Sequence, residues 1–198
     1  MQKSLLAEEE LALVRSAQKG ELEAFDRLVA IHAPRLYNLA LRMLQSADEA
    51  EDAAQEAFIR AYTSLRQFRG QASFATWLHR VAMNICLDQL KRRKRQPVAF
   101  GALNDADPAD EPAPARPAGD PAAAAESRER QAIIRAAIDS LPEGQRAVIV
   151  LHDLQGLSYL ECAQVVGASV GTVKSRLNRA RLALKAKLEP QLELLTSG

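Results

Sequence analysis

Apolar residues return at helical intervals through most of this chain. Phe25, Leu28, Val29 and His32 recur three or four apart, and so do Leu36, Leu39, Ala40 and Met43. Pro34 is expected to open a new helical segment between these sets, because proline is tolerated in a first turn. Asp48 with Glu51 reads as a capping box ahead of a helix from Ala53 to Leu65. Phe68-Arg69-Gly70-Gln71 breaks the period and predicts a short loop. A long helix follows from Ser73 to Arg93, with Phe74, Trp77, Leu78, Val81, Ile85 and Leu90 on its apolar side.

The C-terminal part carries stronger punctuation. Ser140-Leu141-Pro142-Glu143 reads as a capping box that opens a helix through Leu154, and Gly156 stops that helix. Ser158-Tyr159-Leu160-Glu161 is a second box, starting a helix from Tyr159 to Val166. Gly167-Ala168-Ser169 turns the chain into a last helix, Val170 to Lys187. Two short helices joined by a glycine turn, the second one basic, form a helix-turn-helix pattern. On the second helix Val173, Leu177, Ala180 and Leu184 make one apolar stripe. Lys174, Ser175, Asn178 and Lys185 point away from it, Arg179 and Arg181 lie on its flanks, and Arg176 falls nearer the core side.

Between these parts the period vanishes. From Pro97 to Ala125 the chain carries Pro97, Pro108, Pro112, Pro114, Pro117 and Pro121, many alanines and the acids Asp105, Asp107, Asp110, Glu111 and Asp120. Such a composition predicts a flexible linker. The expected fold is therefore all-α. Two small helical domains, 1–96 and 126–198, are joined by a Pro/Ala/Asp-rich linker over 97–125.

Composition narrows the function classes. The 198 residues are 47% hydrophobic and only 5% aromatic, a balance that favours helices. No apolar run approaches a membrane span, and Met1-Gln2-Lys3 leads into Glu8-Glu9-Glu10 rather than an export signal, which predicts a cytoplasmic protein without membrane insertion. Cys86 and Cys162 lack neighbours for a metal site and read as small buried residues, so neither a metal nor another cofactor is expected. His32, His79 and His152 are scattered without partners at catalytic spacing, and no phosphate-binding glycine loop exists, which argues against an enzyme. His79 is expected to face solvent or DNA.

A formal net charge of +1 conceals separated poles. Acids dominate up to Glu56. From Arg60 to Arg95 the bases Arg60, Arg66, Arg69, Arg80 and Lys91 to Arg95 face only Asp88, and Val170 to Lys187 holds six bases and no acid. Basic poles of this kind suit nucleic acid, and an acidic one suits another partner. The Lys91 to Arg95 run also complements a helix C-terminus. Lys and Arg on the last helix suit phosphate or guanine, while Ser175 and Asn178 suit base edges.

The N-terminal motifs go further. Asp48-Glu49-Ala50-Glu51-Asp52-Ala53-Ala54-Gln55-Glu56-Ala57-Phe58, then Phe68-Arg69-Gly70, then Phe74-Ala75-Thr76-Trp77-Leu78-His79-Arg80-Val81-Ala82-Met83-Asn84 resemble region 2 of sigma factors. Leu141-Pro142 and Gly171-Thr172-Val173-Lys174-Ser175-Arg176-Leu177-Asn178-Arg179-Ala180-Arg181 resemble their region 4. With no folded domain between the two, the layout resembles the extracytoplasmic-function (ECF) group of the sigma-70 family.

The resemblance implies a non-catalytic function. A sigma factor binds core RNA polymerase and directs promoter-specific initiation; region 2 captures the melted −10 strand and region 4 reads the −35 duplex. It assigns core-polymerase binding to Asp52, Gln55, Glu56 and Ile59. It assigns −10 contacts to Phe68, Arg69, Gln71, Ser73, Arg80 and Asn84, with Lys91 and Arg92 as further phosphate neutralisers. The −35 contacts fall on Lys174, Ser175, Asn178, Arg179 and Arg181. Trp77 is ambiguous between core and base platform and is left unassigned. Asn178 stands where some relatives carry an aromatic residue, so their −35 preference does not transfer. The resemblance also implies an anti-sigma factor as partner. A stand-alone helix-turn-helix regulator is the alternative reading.

Overall fold

A computed structural model describes residues 2–95 and 121–196, with side chains described for 8–95 and 129–190. The described residues are helical, with no strand among them. The order is α1 (Gln2–Gln18), α2 (Leu22–Leu44), α3 (Ala47–Ser64), a single 3-10 turn (Leu65–Gln67) and α4 (Phe74–Arg95). Then come α5 (Pro121–Asp139), α6 (Glu143–Ile149), a π-helical turn (Val150–Leu154), α7 (Tyr159–Val166) and α8 (Val170–Thr196). Most of the stretch read as linker lies outside the described residues. Helix α5 reaches back to Pro121, so 121–125 are helical, with proline in the first turn where its missing N–H costs nothing.

The first half is a bundle in which α2 packs on α1, α3 and α4. Its core is built from Leu28, Leu36, Leu39, Met43, Leu65, Leu78 and Met83, all buried. The buried residues of α3 are all alanine, Ala50, Ala53, Ala54, Ala57 and Ala61, with Phe58 partly buried beside them. Small side chains let α3 lie close on its neighbours while its outer face stays polar.

Three expected boundaries move. Pro34 does not begin a helix; α2 runs through it for 23 residues. The proline leaves one carbonyl without its intrahelical N–H. Buried residues on both sides, Leu28 and His32 before it and Leu36 and Leu39 after it, hold the helix continuous. The N-cap of α3 is Ser46, whose hydroxyl accepts from the Glu49 N–H, so Asp48 lies inside the first turn. Ser140 does not cap α6 either. Its hydroxyl donates back to the Ala137 carbonyl, and Pro142 takes the cap position without a side-chain bond.

The second half packs α6, α7 and α5 against α8. The box at Ser158 and Glu161 forms in both directions, and Gly167 closes α7 in the left-handed conformation that glycine adopts without strain. The helix from Glu143 ends earlier than expected as regular α-helix and finishes in the π-helical turn.

The halves are not separate bodies in this structure. Their buried residues form one continuous cluster. Helix α4 lies against α7, where the Thr76 hydroxyl donates to Glu161 at 3.2 Å. Gln155 donates to the Arg35 carbonyl, and Gln45 donates to the Asp139 carbonyl. Arg146 is 8% exposed and crosses the junction, donating to the Met43 carbonyl at 2.9 Å and to the Asp139 and Leu141 carbonyls at 2.6 and 3.2 Å. Burial pushes its pKa down while Asp139 and Glu143 hold it up. Arg93 donates to the next carbonyl, Leu44. Two guanidinium groups thus satisfy the C-terminal end of α2 and complement its dipole.

Candidate nucleic-acid and partner interfaces

Three surfaces carry the residues singled out from the sequence. On α3, Asp52, Gln55 and Ile59 are exposed and Glu56 is half-buried, all opposite the alanine face. Ile59 is 64% exposed, a large apolar side chain set among polar ones. Glu56 holds Arg60 at 2.5 Å, and Gln55 donates to Glu51 at 3.4 Å. These are intrahelical surface pairs, weak enough to be exchanged for a partner's groups.

The second surface surrounds the 68–73 loop. Gln67, Phe68, Arg69, Gln71, Ala72, Thr76, Trp77, Arg80 and Gln164 line a cleft of about 360 Å³. Phe68 and Trp77 form its aromatic wall, with ring centroids 5.2 Å apart, and the buried Phe74 ring packs behind them at 6.0 and 5.7 Å. Gly70 turns the loop with a positive φ of 70°. Arg69, Gln71 and Arg80 are exposed around it, and Asn84 is exposed one turn beyond Arg80 on α4. The Ser73 hydroxyl accepts from the Thr76 N–H and so caps α4. Phe68 is half-buried against the other rings, which fixes one edge rather than leaving a free platform.

Several residues here escaped the sequence reading. Gln18 at the end of α1 donates to the Leu65 and Phe68 carbonyls at 3.0 and 2.9 Å and braces the loop. No local pattern signals this, because its partners lie about fifty positions away. Trp77 is half-buried, packing on the core and lining the cleft as well. Gln164 enters the cleft from the other half of the molecule.

His79 is a correction. It is 2% exposed, with Nδ1 bonded to the Ala75 carbonyl at 2.6 Å, and it does not face solvent. Burial pulls its pKa below the usual histidine value. The bond to Ala75 partly offsets this, and the neighbouring His32 and Arg35 reinforce it. The face of α4 that carries His79 is covered by the second half, which helix periodicity within α4 does not reveal. Cys86 and Cys162 are buried, as expected, and burial pushes the thiols up to about 12 and about 11.

The third surface is the helix-turn-helix. Ser169 caps α8 by accepting from the Thr172 N–H, and Val173, Leu177 and Ala180 are buried beneath it. Lys174, Ser175, Asn178, Arg179 and Arg181 are exposed. Lys174 Nζ lies 5.5 Å from the centre of the Tyr159 ring, which stacks on His152 at 4.5 Å. Arg179 donates to the Ser175 hydroxyl at 2.8 Å. Arg176 rests its guanidinium 3.8 Å from where a Cβ on Gly144 would stand, on the core side. No group of residues fit to hold a metal is found among the described residues, and no described helix is long and apolar enough to cross a membrane.

Comparison with known proteins decides the assignment. The family model for sigma-70 region 2 matches residues 28–96, and that for sigma-70 region 4 matches residues 131–184. The RNA polymerase sigma-H factor of Pseudomonas aeruginosa is 38% identical over 189 residues, covering 95% of this chain and 98% of the relative. The chain belongs to the ECF sigma factors of the sigma-70 family. The ECF RNA polymerase sigma-E factor of Escherichia coli K12 is 37% identical over 179 residues, covering 90% of this sigma factor and 93% of the relative. CnrH, solved in complex with the cytosolic domain of CnrY, superposes with a TM-score of 0.68 at 27% identity, covering 92% of this chain and 98% of that one. The Bartonella quintana sigma factor RpoE, solved with the anti-sigma factor NepR, shares the fold, with a TM-score of 0.64 at 24% identity over 83% of this chain and 96% of that one. Sigma factors direct transcription initiation and are not an enzyme family, and the stand-alone regulator is not favoured.

Proposed function

We propose that this sigma factor divides its work among the three surfaces. Asp52, Gln55, Glu56 and Ile59 meet a basic and apolar face of core RNA polymerase. Phe68, Arg69, Gln71, Ser73, Arg80 and Asn84 handle the opened −10 strand, with Ser73 acting by capping α4. Lys174, Ser175, Asn178 and Arg179 dock in the major groove of the −35 duplex. The observation that carries this reading is that one chain holds a base-sized aromatic cleft with arginines at its rim and a separate exposed basic helix. Single-stranded bases need stacking surfaces and nearby positive charge, whereas duplex readout needs a helix that fits the major groove.

The arrangement of the halves adds a requirement. Promoter elements 25 base pairs apart are separated by about 85 Å at 3.4 Å per step. Halves joined by hydrogen bonds through Arg146, Gln155 and Thr76 do not span that distance. Binding to polymerase therefore separates them. The protein works in the cytoplasm, where its partners are core polymerase, promoter DNA and an anti-sigma factor that masks the same surfaces.

Run-off transcription with purified core polymerase on a pool of genomic promoter fragments tests the reading. New discrete transcripts that depend on this protein are expected. Duplex binding with no new start sites and no association with core polymerase would overturn it.

A further inference from the structure

Lys174, Asn178, Arg181 and Lys185 follow one another at intervals of four, three and four along α8, so their side chains leave the helix on one side. Arg181 is turned away from its neighbours. Its Nε donates to Asp153 Oδ2 at 3.2 Å and its terminal nitrogen donates to Oδ1 at 2.5 Å, a two-bond fork between α8 and the π-helical turn. The Arg181 side chain remains 51% exposed and that of Asp153 31%, so the pair sits at the surface beside the stripe.

We propose that Asp153 is a built-in brake on DNA binding: it holds the Arg181 guanidinium off the phosphate backbone, and the recognition helix makes one phosphate contact fewer than its sequence offers. This rests on the reading that α8 docks on the −35 duplex. Carboxylate and phosphate compete for the same guanidinium fork, since both accept two parallel N–H bonds. A carboxylate beside the docking face also repels the duplex within a Debye length. Phosphate contacts carry no sequence information, whereas Ser175 and Asn178 face base edges. Withholding one phosphate contact lowers the attraction to every duplex alike, so the helix lingers less on random sequence and depends on polymerase to hold it at a promoter.

The test uses holoenzyme assembled with the full chain. The probes are a promoter fragment from the run-off pool and the same fragment with its −35 element scrambled, titrated between about 50 and 200 mM salt. Asp153→Asn is expected to tighten binding to both fragments by the same factor, roughly five- to tenfold near 0.1 M salt, and to steepen the slope of log K against log salt by about 0.9. Arg181→Ala combined with Asp153→Asn should erase the gain. Unchanged or weaker binding by Asp153→Asn, checked with Asp153→Ser and thermal unfolding to exclude a folding defect, overturns the brake. A gain that survives in the double variant also overturns it, because the effect then belongs to the removed charge and not to Arg181. Holoenzyme that starts no transcript at all would instead sink the underlying reading, which the wild-type lanes reveal independently.

Discussion

The two halves of this sigma factor build their working surfaces by opposite means. In the region 4 half, the exposed side chains come from one helix whose start, turn and buried stripe are all written within about thirty residues, 158–187. In the region 2 half, the cleft exists only because Gln18, the 68–73 loop, the rings of α4 and even Gln164 from the other half converge. A surface made by one helix tolerates movement of that helix as a unit. A surface made by convergence depends on packing and changes whenever its neighbours shift. That difference fits the proposed division of work, in which the region 4 helix engages intact duplex and the region 2 cleft admits a strand once the halves have parted.

The largest effect is expected at the junction that couples the halves. Arg146→Ala leaves the Met43 and Leu141 carbonyls without this donor and the Asp139 carbonyl with Gln45 alone, and it should destabilise the closed form by about 3 kcal/mol. Urea unfolding measures the loss, and small-angle scattering should show expansion from the roughly 16 Å radius of gyration expected of a compact chain of this length. A variant as compact and as stable as the parent would mean that the halves are held by apolar burial alone.

Next in size is the outer face of α3. Asp52→Ala with Gln55→Ala should weaken capture by immobilised core polymerase by about tenfold or more, close to 1.4 kcal/mol or above. Free protein should keep its stability, because both side chains are exposed. Lys174→Ala or Asn178→Ala probes the other half. Each should weaken promoter binding by about 1 kcal/mol or more while core binding stays as it was. Equal loss of both activities in either set would show that the two surfaces are not separate.

The smallest effect is on pH. His79 is buried neutral at the junction with its pKa lowered, so the closed form binds its proton less readily than the unfolded chain does. Its stability contribution is then complete above the unfolded value of about 6.5 and falls as the pH drops below it. Unfolding free energies between about pH 8 and pH 5 should show this decline, and His79→Gln should flatten it. A decline that persists unchanged in the variant assigns it to another group.

Legibility follows the same divide. The box at Ser158 and Glu161, the left-handed Gly167 and the stripe of Val173, Leu177 and Ala180 are all readable, because each depends on residues a few positions apart. The placement of His79 is not, because the covering residues come from a chain segment about eighty positions later. Pro34 misleads for a related reason. Local propensity marks a helix start, and burial on both sides of the proline outweighs it. Ser140 matches a capping pattern, yet its hydroxyl turns back to Ala137 and leaves Pro142 at the cap.

Helical periodicity and capping act over one or two turns, so the order of residues alone dictates a helical chain that carries the motifs of regions 2 and 4. It also dictates which residues stand on the outer faces of α3 and α8. Tertiary packing was needed to establish that the halves share a continuous core and that Arg146 satisfies the end of a helix about a hundred residues earlier. Packing likewise sets Gln18 as the brace of the 68–73 loop and gives Arg181 to Asp153. Those contacts join side chains that no local pattern relates, and they exist because a guanidinium, an amide or a carboxylate needs a partner wherever packing happens to bring it.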